Sequence, residues 1–340
     1  MFKLKGIMNM KKAKRLIAAL IVCVMAFAML PVSAFASAGY TKTGTFSIAA
    51  LNVDGLPKKI LGIGLNKDGP GKAGTKAISK KLNETGWDLV SIEEDFTYDR
   101  ELRSSLTNYD HGTWRGPIVG VYSPTDGLNF LWNKNMSVSG ETFVKWKKTY
   151  STGIVNQGNG ADGMIAKGYR FYQAEIADGV TVDVYVLHMD AECDPGDLAA
   201  RDSQLRQLTT AIRSSGTRNP IIVMGDTNCR YTRDYVQAHF IDVINSDKRF
   251  DAVDPWVLFC HDGVAPKFGD DALVAKDHDG DYDYPECEIV DKMFIINNTD
   301  SDVYLSPDNY YVDTNFTADD GVTPLADHWP IVSQISYSKR

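Results

Sequence analysis

The sequence predicts an α/β fold of mixed β-sheets with helices packed outside them. Three observations carry this. Pro220-Ile221-Ile222-Val223-Met224 is an unbroken apolar, β-branched run of strand length, the mark of a strand buried on both faces. Strand-like and helix-like segments alternate only in part, with hairpin patterns between them, which does not fit a regular parallel array. No repeat of fixed period and no low-complexity linker divides the chain. One domain over 37–340 is therefore expected, large enough for one sizeable core.

The N-terminus carries a different signal. Lys3 to Arg15 holds six basic and no acidic side chains, Leu16 to Leu30 is almost wholly apolar, and Ala34-Phe35-Ala36-Ser37-Ala38 follows. This is the pattern of a secretory signal peptide over 1–36, cut after Ala36 or Ala38. An apolar run of about 15 residues is short of the ~20 that a membrane span needs. A secreted, extracellular monomer with no obligate protein partner is expected. Losing those six bases takes the chain from its formal charge of −8 to about −14. Such a surface disfavours broad electrostatic binding of nucleic acid, although bound divalent cations change the local sign. Cys193, Cys229, Cys260 and Cys287 remain. An even number in a secreted chain predicts two disulfides with three connectivities open, and Cys193–Cys229 with Cys260–Cys287 is preferred because the first two lie beside motifs that should meet.

In chain order, Phe46 to Val53 alternates as a strand and ends at Asp54-Gly55-Leu56-Pro57. Gly69 to Gly74 lacks phosphate-loop spacing and reads as a connector. Thr75 to Asn83 has helical spacing, with Ala77, Ile78 and Leu82 on one side. Asp88 to Glu94 is a second buried strand ending in acid. Phe130 to Trp132 and Val138 to Val144 are strands. Tyr169 to Ile176 and Thr181 to His188 form a hairpin about Asp178-Gly179. Leu198 to Ile212 is a helix leading into the 220–224 strand, and Val290 to Ile296 and Ile331 to Ile335 close the fold.

Five strand ends carry polar chemistry: Asn52, Glu94, His188, Asp226 with Asn228, and Asp327-His328. Residues i and i+2 on a strand share a face, so Asp226 and Asn228 are expected to project together. A carboxylate beside an amide offers hard oxygen ligands, suited to Mg²⁺ or to holding an attacking water. Asp277 to Asp283 resembles a calcium loop with Glu288 at its twelfth position, but Tyr282 stands where glycine is required, so it reads as an acidic surface loop.

These segments resemble the endonuclease/exonuclease/phosphatase superfamily, which includes deoxyribonucleases and bacterial sphingomyelinases. Leu51-Asn52-Val53 matches its first Asn, Asp88 to Glu94 its D-x-x-x-x-Q-E strand, and Leu187-His188 its T-H segment. Gly225-Asp226-Thr227-Asn228 matches G-D-x-N, Val290-Asp291-Lys292-Met293-Phe294 its L-D-Y strand, and Ala326-Asp327-His328-Trp329-Pro330 its S-D-H-x-P. Glu93 stands where Gln is usual, which adds charge near the metal. The resemblance implies a deoxyribonuclease-like four-layer α/β sandwich of two packed mixed β-sheets flanked by helices. It also implies metal-dependent phosphoester hydrolysis by in-line attack of water. Mg²⁺, or Mn²⁺ or Ca²⁺, would bind Asn52 and Glu94, with Asp327 a further ligand. His328 would handle the water's proton, Asp291 would fix its tautomer, His188 would donate to a phosphate oxygen, and Asp226 and Asn228 would orient water and phosphate. Arg230, Arg233 and Lys292 would grip the substrate, a lipid headgroup, small phosphoester or nucleic acid. The first reading is a phosphodiesterase of sphingomyelinase type or a small-phosphoester phosphatase. A secreted endonuclease is the alternative, and a binding domain without catalysis a third.

Overall fold

The apolar run at 221–224 becomes strand β10 (Ile221–Asp226), buried along its whole length, in the computed structural model of the chain. Residues 39–60, 63–64, 69–116, 125–151, 165–273 and 286–340 are described. The expected signal peptide and the acidic loop at 277–283 lie outside them. The fold below is that of the unit Thr43–Lys339.

β10 lies inside a six-stranded sheet ordered β11 (Phe250–Val253), β12 (Asp291–Asn298), β10, β9 (Val180–His188), β8 (Gly168–Ala177) and β7 (Ser137–Lys145). It runs parallel to β9 and antiparallel to β12. A seven-stranded sheet runs β13 (Val303–Pro307), β15 (Ile331–Lys339), β1 (Lys42–Asn52), β4 (Leu89–Glu93), β6 (Asn129–Asn133) and β5 (Tyr109–His111), with β14 (Tyr311–Val312) also on β15. Here β1 and β4 are parallel. A minimal pair, β2 (Lys59–Ile60) and β3 (Ile63–Gly64), stands apart. Both large sheets are mixed, as expected.

Alternation along β1 shows how the layers stack. Ile48 and Ala50 enter the main core with Val184, Val186 and Val223 of the other sheet. Ala49 and Leu51 point the opposite way, against Ile78 and Leu82 of helix α1 (Gly71–Thr85). The other sheet is covered by α3 (Pro195–Ser214) through Leu205, Leu208 and Ile212. Short helices α2 (Asp99–Leu102), α4 (Asp242–Asn245) and α5 (Pro255–Cys260) and a π-helical turn at Gln237–Ile241 complete the chain. Among the described residues no helix is long and apolar enough to cross a membrane.

Three expectations change. The 69–74 connector is helical from Gly71 onward. α3 starts three residues before the apolar periodicity, because Asp194 and Asp197 form a reciprocal capping box with Pro195 in the first turn. Neither expected disulfide forms: Cys193, Cys229, Cys260 and Cys287 are all reduced. Cys193 is exposed and its Sγ accepts from Arg233 Nη1 at 2.9 Å. Cys229 is buried beside Asp234 and Arg201, and burial pushes its thiol well up. Counting thiols in a chain says nothing about where their Cβ vectors point.

Candidate active site

The register of three strands builds the site. His188 ends β9, Asp226 ends β10 and Asp291 begins β12, and the three are direct cross-strand partners. Antiparallel β12 starts where β10 stops, so one row of side chains crosses the sheet edge. His328, from the loop before β15, completes it: its Nδ1 lies 2.7 Å from Asp291 Oδ2. The other sheet contributes Asn52 at the end of β1 and Glu94 one step beyond β4, brought together by the parallel register of Asn52 with Glu93. Asn52 Nδ2 donates to Glu94 Oε1 at 3.1 Å and to Asp226 Oδ2 at 3.2 Å, so one amide ties the two sheets. His188 Nε2 lies 3.6 Å from Asp226 Oδ2 and 4.0 Å from Glu94 Oε1.

Gly225 makes this approach feasible. Its φ is +138°, and a Cβ there would stand 2.1 Å from the Leu187 carbonyl oxygen and 2.9 Å from Glu93 Oε1. Glu94 has a φ of +60° and Asn228 one of +51°, the left-handed region where Asn is tolerated and Glu is strained. Asn228 therefore does not extend the strand. Its N–H donates to Asp226 Oδ1 at 2.8 Å and its Nδ2 to the Met189 carbonyl at 3.2 Å. It holds the end of β9 in place instead of simply facing outward beside Asp226.

Burial and charge set the protonation states. Burial pushes His188 down to about 3, helped by Lys167, so its imidazole is neutral. Burial, with Asp327 and Asp54, raises Glu94 to about 7. Burial also holds Glu93 well above the carboxylate range, with Asp291 and Asp226 adding to the rise. Burial therefore favours the neutral form of Glu93, which is close in shape and polarity to the amide it replaces. Burial disfavours the charged form of His328, but Asp291, Asp226 and Asp327 outweigh it and hold the imidazolium well above its usual range.

The three cations expected to grip substrate part ways. Lys292 follows Asp291 on β12 and so points to the opposite face of the sheet. It is buried, donates to the Ile289 carbonyl at 2.8 Å and sits over the Tyr231 and Trp256 rings. Arg233 is spent on Asp234, Cys193 and the Asn228 carbonyl. Arg230 keeps an Nε with no partner among the described residues. Asp327 is exposed. Glu288 gives both carboxylate oxygens to Thr232, so it is engaged by the fold.

Sequence reading missed Lys167, which is buried and donates to the Met189 carbonyl at 2.9 Å, and the role of Trp146, whose Nε1 donates to the His188 carbonyl at 2.7 Å. Neither sits in a motif; both clamp the end of β9 from outside it.

The two packed mixed sheets match known structures. A humanized zebrafish (D. rerio) TDP2 superposes with a TM-score of 0.59 at 16% identity, over 86% of this chain and 98% of the other. An endonuclease/exonuclease/phosphatase from Bacteroides vulgatus gives 0.54 at 14%, over 86% and 98%. The fold is that of the endonuclease/exonuclease/phosphatase superfamily. The human Nocturnin catalytic domain, with bound sulfate, gives 0.56 at 15%, over 87% and 97%. Among curated proteins, sphingomyelinases of Mycobacterium bovis and Mycobacterium tuberculosis are 27% identical over 302 residues, 87% of this chain. That stretch is 54% of the mycobacterial proteins, so the chain spans about half the length of these relatives. No family model matches the chain.

Proposed function

We propose that this protein is a divalent-metal-dependent phosphoesterase that cleaves phosphate esters by in-line attack of water. The observation that carries the reading is the His188–Asp226–Asp291 row, with His328 on Asp291 and Asn52–Glu94 reaching it from the second sheet. The donor set fits a hard cation. Glu94 and Asp327 offer carboxylate oxygens and Asn52 an amide oxygen, burial with Asp327 alongside raises Glu94 to about 7 although Lys167 opposes the rise, and Asp291 Oδ1 is buried with no partner among the described residues. Those three residues would hold Mg²⁺, with Mn²⁺ or Ca²⁺ as substitutes; when bound, the ion neutralises charge developing on the phosphoryl oxygens.

The chain's own residues do the rest. Neutral His188 has a single N–H to donate, and with it polarises a phosphate oxygen. Asp226, fixed by Asn52 and the Asn228 N–H, orients the water. Asp291 holds His328 in one tautomer and stabilises its charged form. His328, held by Asp291, is the group placed to exchange a proton with the attacking water.

The preferred substrate is a phosphodiester of sphingomyelin type, on the strength of the mycobacterial relatives, with small phosphomonoesters next. The acidic balance of the chain weighs against an endonuclease. Secretion through residues 1–36 belongs to the same proposal. Sphingomyelin, plasmid DNA, RNA, inositol phosphates and a chromogenic bis-ester, each with Mg²⁺ and with EDTA, provide the test. Hydrolysis that EDTA abolishes and Mg²⁺ restores is expected, with sphingomyelin the best substrate. Full activity after exhaustive chelation would overturn the metal assignment.

A further inference from the structure

Nine large apolar side chains are exposed among the described residues, and six fall within 235–273: Tyr235, Leu258, Phe259, Val264, Phe268 and Leu273. Phe268, 55% exposed, stacks on Tyr235 with ring centroids 4.4 Å apart. Leu258 and Val264, the latter 69% exposed, stand at the mouth of a cavity of about 450 Å³ walled by Ile241, Ala252, Val253 and Val257. That size suits a ligand pocket. Its polar lining groups are already spent on the protein. Asn245 makes both side-chain bonds to the Ala252 backbone, Gln237 donates to Asp242, and Asp254 accepts from the Tyr231 hydroxyl and the Trp256 N–H. The cavity therefore suits an apolar occupant.

The same face is tied to the edge that carries the site. The Gly269 N–H donates to the Thr232 carbonyl and the Glu288 N–H to the Leu273 carbonyl. Glu288 in turn holds Thr232, four residues past Asn228, and β12 begins with Asp291 three residues after Glu288. The exposed charges on the segment are Asp242, Asp251, Asp262, Asp270 and Asp271 against Lys248 and Lys267. An apolar protrusion with an acidic rim is repelled by anionic lipid and suits a surface that presents cationic ends of zwitterionic headgroups.

We propose that this face docks the protein on a zwitterionic phospholipid bilayer. One aliphatic chain of a bilayer lipid enters the cavity, and Leu258, Val264 and Phe268 embed in the interfacial layer. The cavity lies behind Tyr231 on the face of the sheet away from Asp291, so it anchors the enzyme and does not hold the scissile phosphate. The inference extends the lipid-phosphodiesterase reading above, and its test separates the two.

The full chain, kept in EDTA so that no turnover occurs, is floated with phosphatidylcholine vesicles. Wild type is expected to co-float, and added anionic lipid to give no gain. Burying one large apolar side chain is worth about 1.5 kcal/mol or more, about tenfold in affinity. Phe268→Ser and Val264→Ser should each weaken vesicle binding by about that factor, with native circular dichroism and with unchanged kcat on a water-soluble chromogenic ester. Bromine-labelled acyl chains should quench Trp256, which stacks on the Tyr231 wall of the cavity, and Trp256→Phe should remove that component. Wild type that stays with the aqueous fraction, or variants that float as wild type does, would overturn the proposal. Phe268-dependent self-association in place of flotation would also overturn it, and would make a second copy the occupant. Flotation without any ester hydrolysis would support the docking face and sink the catalytic reading alone.

Discussion

Asp291→Asn isolates the acid–imidazole pair with the least change in shape. The wild-type carboxylate takes a 2.7 Å bond from His328 Nδ1, and its second oxygen has no partner among the described residues. The substitution removes one buried charge and lets the amide meet the imidazole in either orientation. A hydrogen bond to a charged group is worth about 1.5–3 kcal/mol, about 10- to 10²-fold in rate if it acts only in the transition state. Loss of general acid/base function through a misplaced imidazole brings the expected fall in kcat to about 10²- to 10⁴-fold. KM should stay nearly constant, since Asp291 is not expected to bind substrate in the ground state. A second readout follows from the charge. Asp291 is the first cause raising His328 against burial, so the kinetic limb that reports His328 should move to lower pH in the variant. The sign for stability agrees. A histidine raised in the fold contributes its full stabilisation below its unfolded value and loses it as pH rises through the folded one. The variant should therefore be most destabilised at mildly acidic pH and close to wild type at alkaline pH. Steady-state kinetics from pH 5 to pH 10 on a soluble bis-ester, with circular dichroism as control, provide the assay. A natively folded Asp291→Asn protein keeping at least half of wild-type kcat, with an unshifted profile, would refute the reasoning.

Burial raises Glu94 to about 7, so a cation must displace a proton below that pH; Mg²⁺ binding followed by calorimetry should tighten about tenfold per pH unit up to there and then level off, and Glu94→Gln should be weak and flat. A pH-independent affinity in wild type would remove Glu94 from the ligand set. Reduction should leave the intact mass unchanged, and exposed Cys193 should react with a thiol reagent well before buried Cys229; a mass gain of two protons or more would restore a disulfide. Ile222→Ala, at a fully buried position of β10, should cost about 2–5 kcal/mol in denaturant unfolding, and a change below 0.5 kcal/mol would mean the sheet edge tolerates a loose centre.

Much of this protein was legible in one dimension. Strand β10 could be read because a strand buried on both faces must be apolar at every position, and Ile221 to Met224 satisfy that without any partner being known. Asn52, Glu94, His188 and Asp226 could be singled out because each stands where an apolar run stops, whereas Asp291 was legible only through the resemblance of Val290 to Phe294 to a family motif. The rest required the third dimension. That His188, Asp226 and Asp291 form one row depends on β10 being parallel to one neighbour and antiparallel to the other, which no local pattern encodes. Lys292 looked equivalent to Arg230 until strand alternation carried it through to the far face. Lys167 and Trp146 act on β9 across sequence gaps of 22 and 42 residues, and burial pushes Glu93 toward its neutral form only because the fold closes over it. The four thiols could be counted in advance, but whether any two face each other is set by Cβ directions, which the packing of neighbouring segments alone decides.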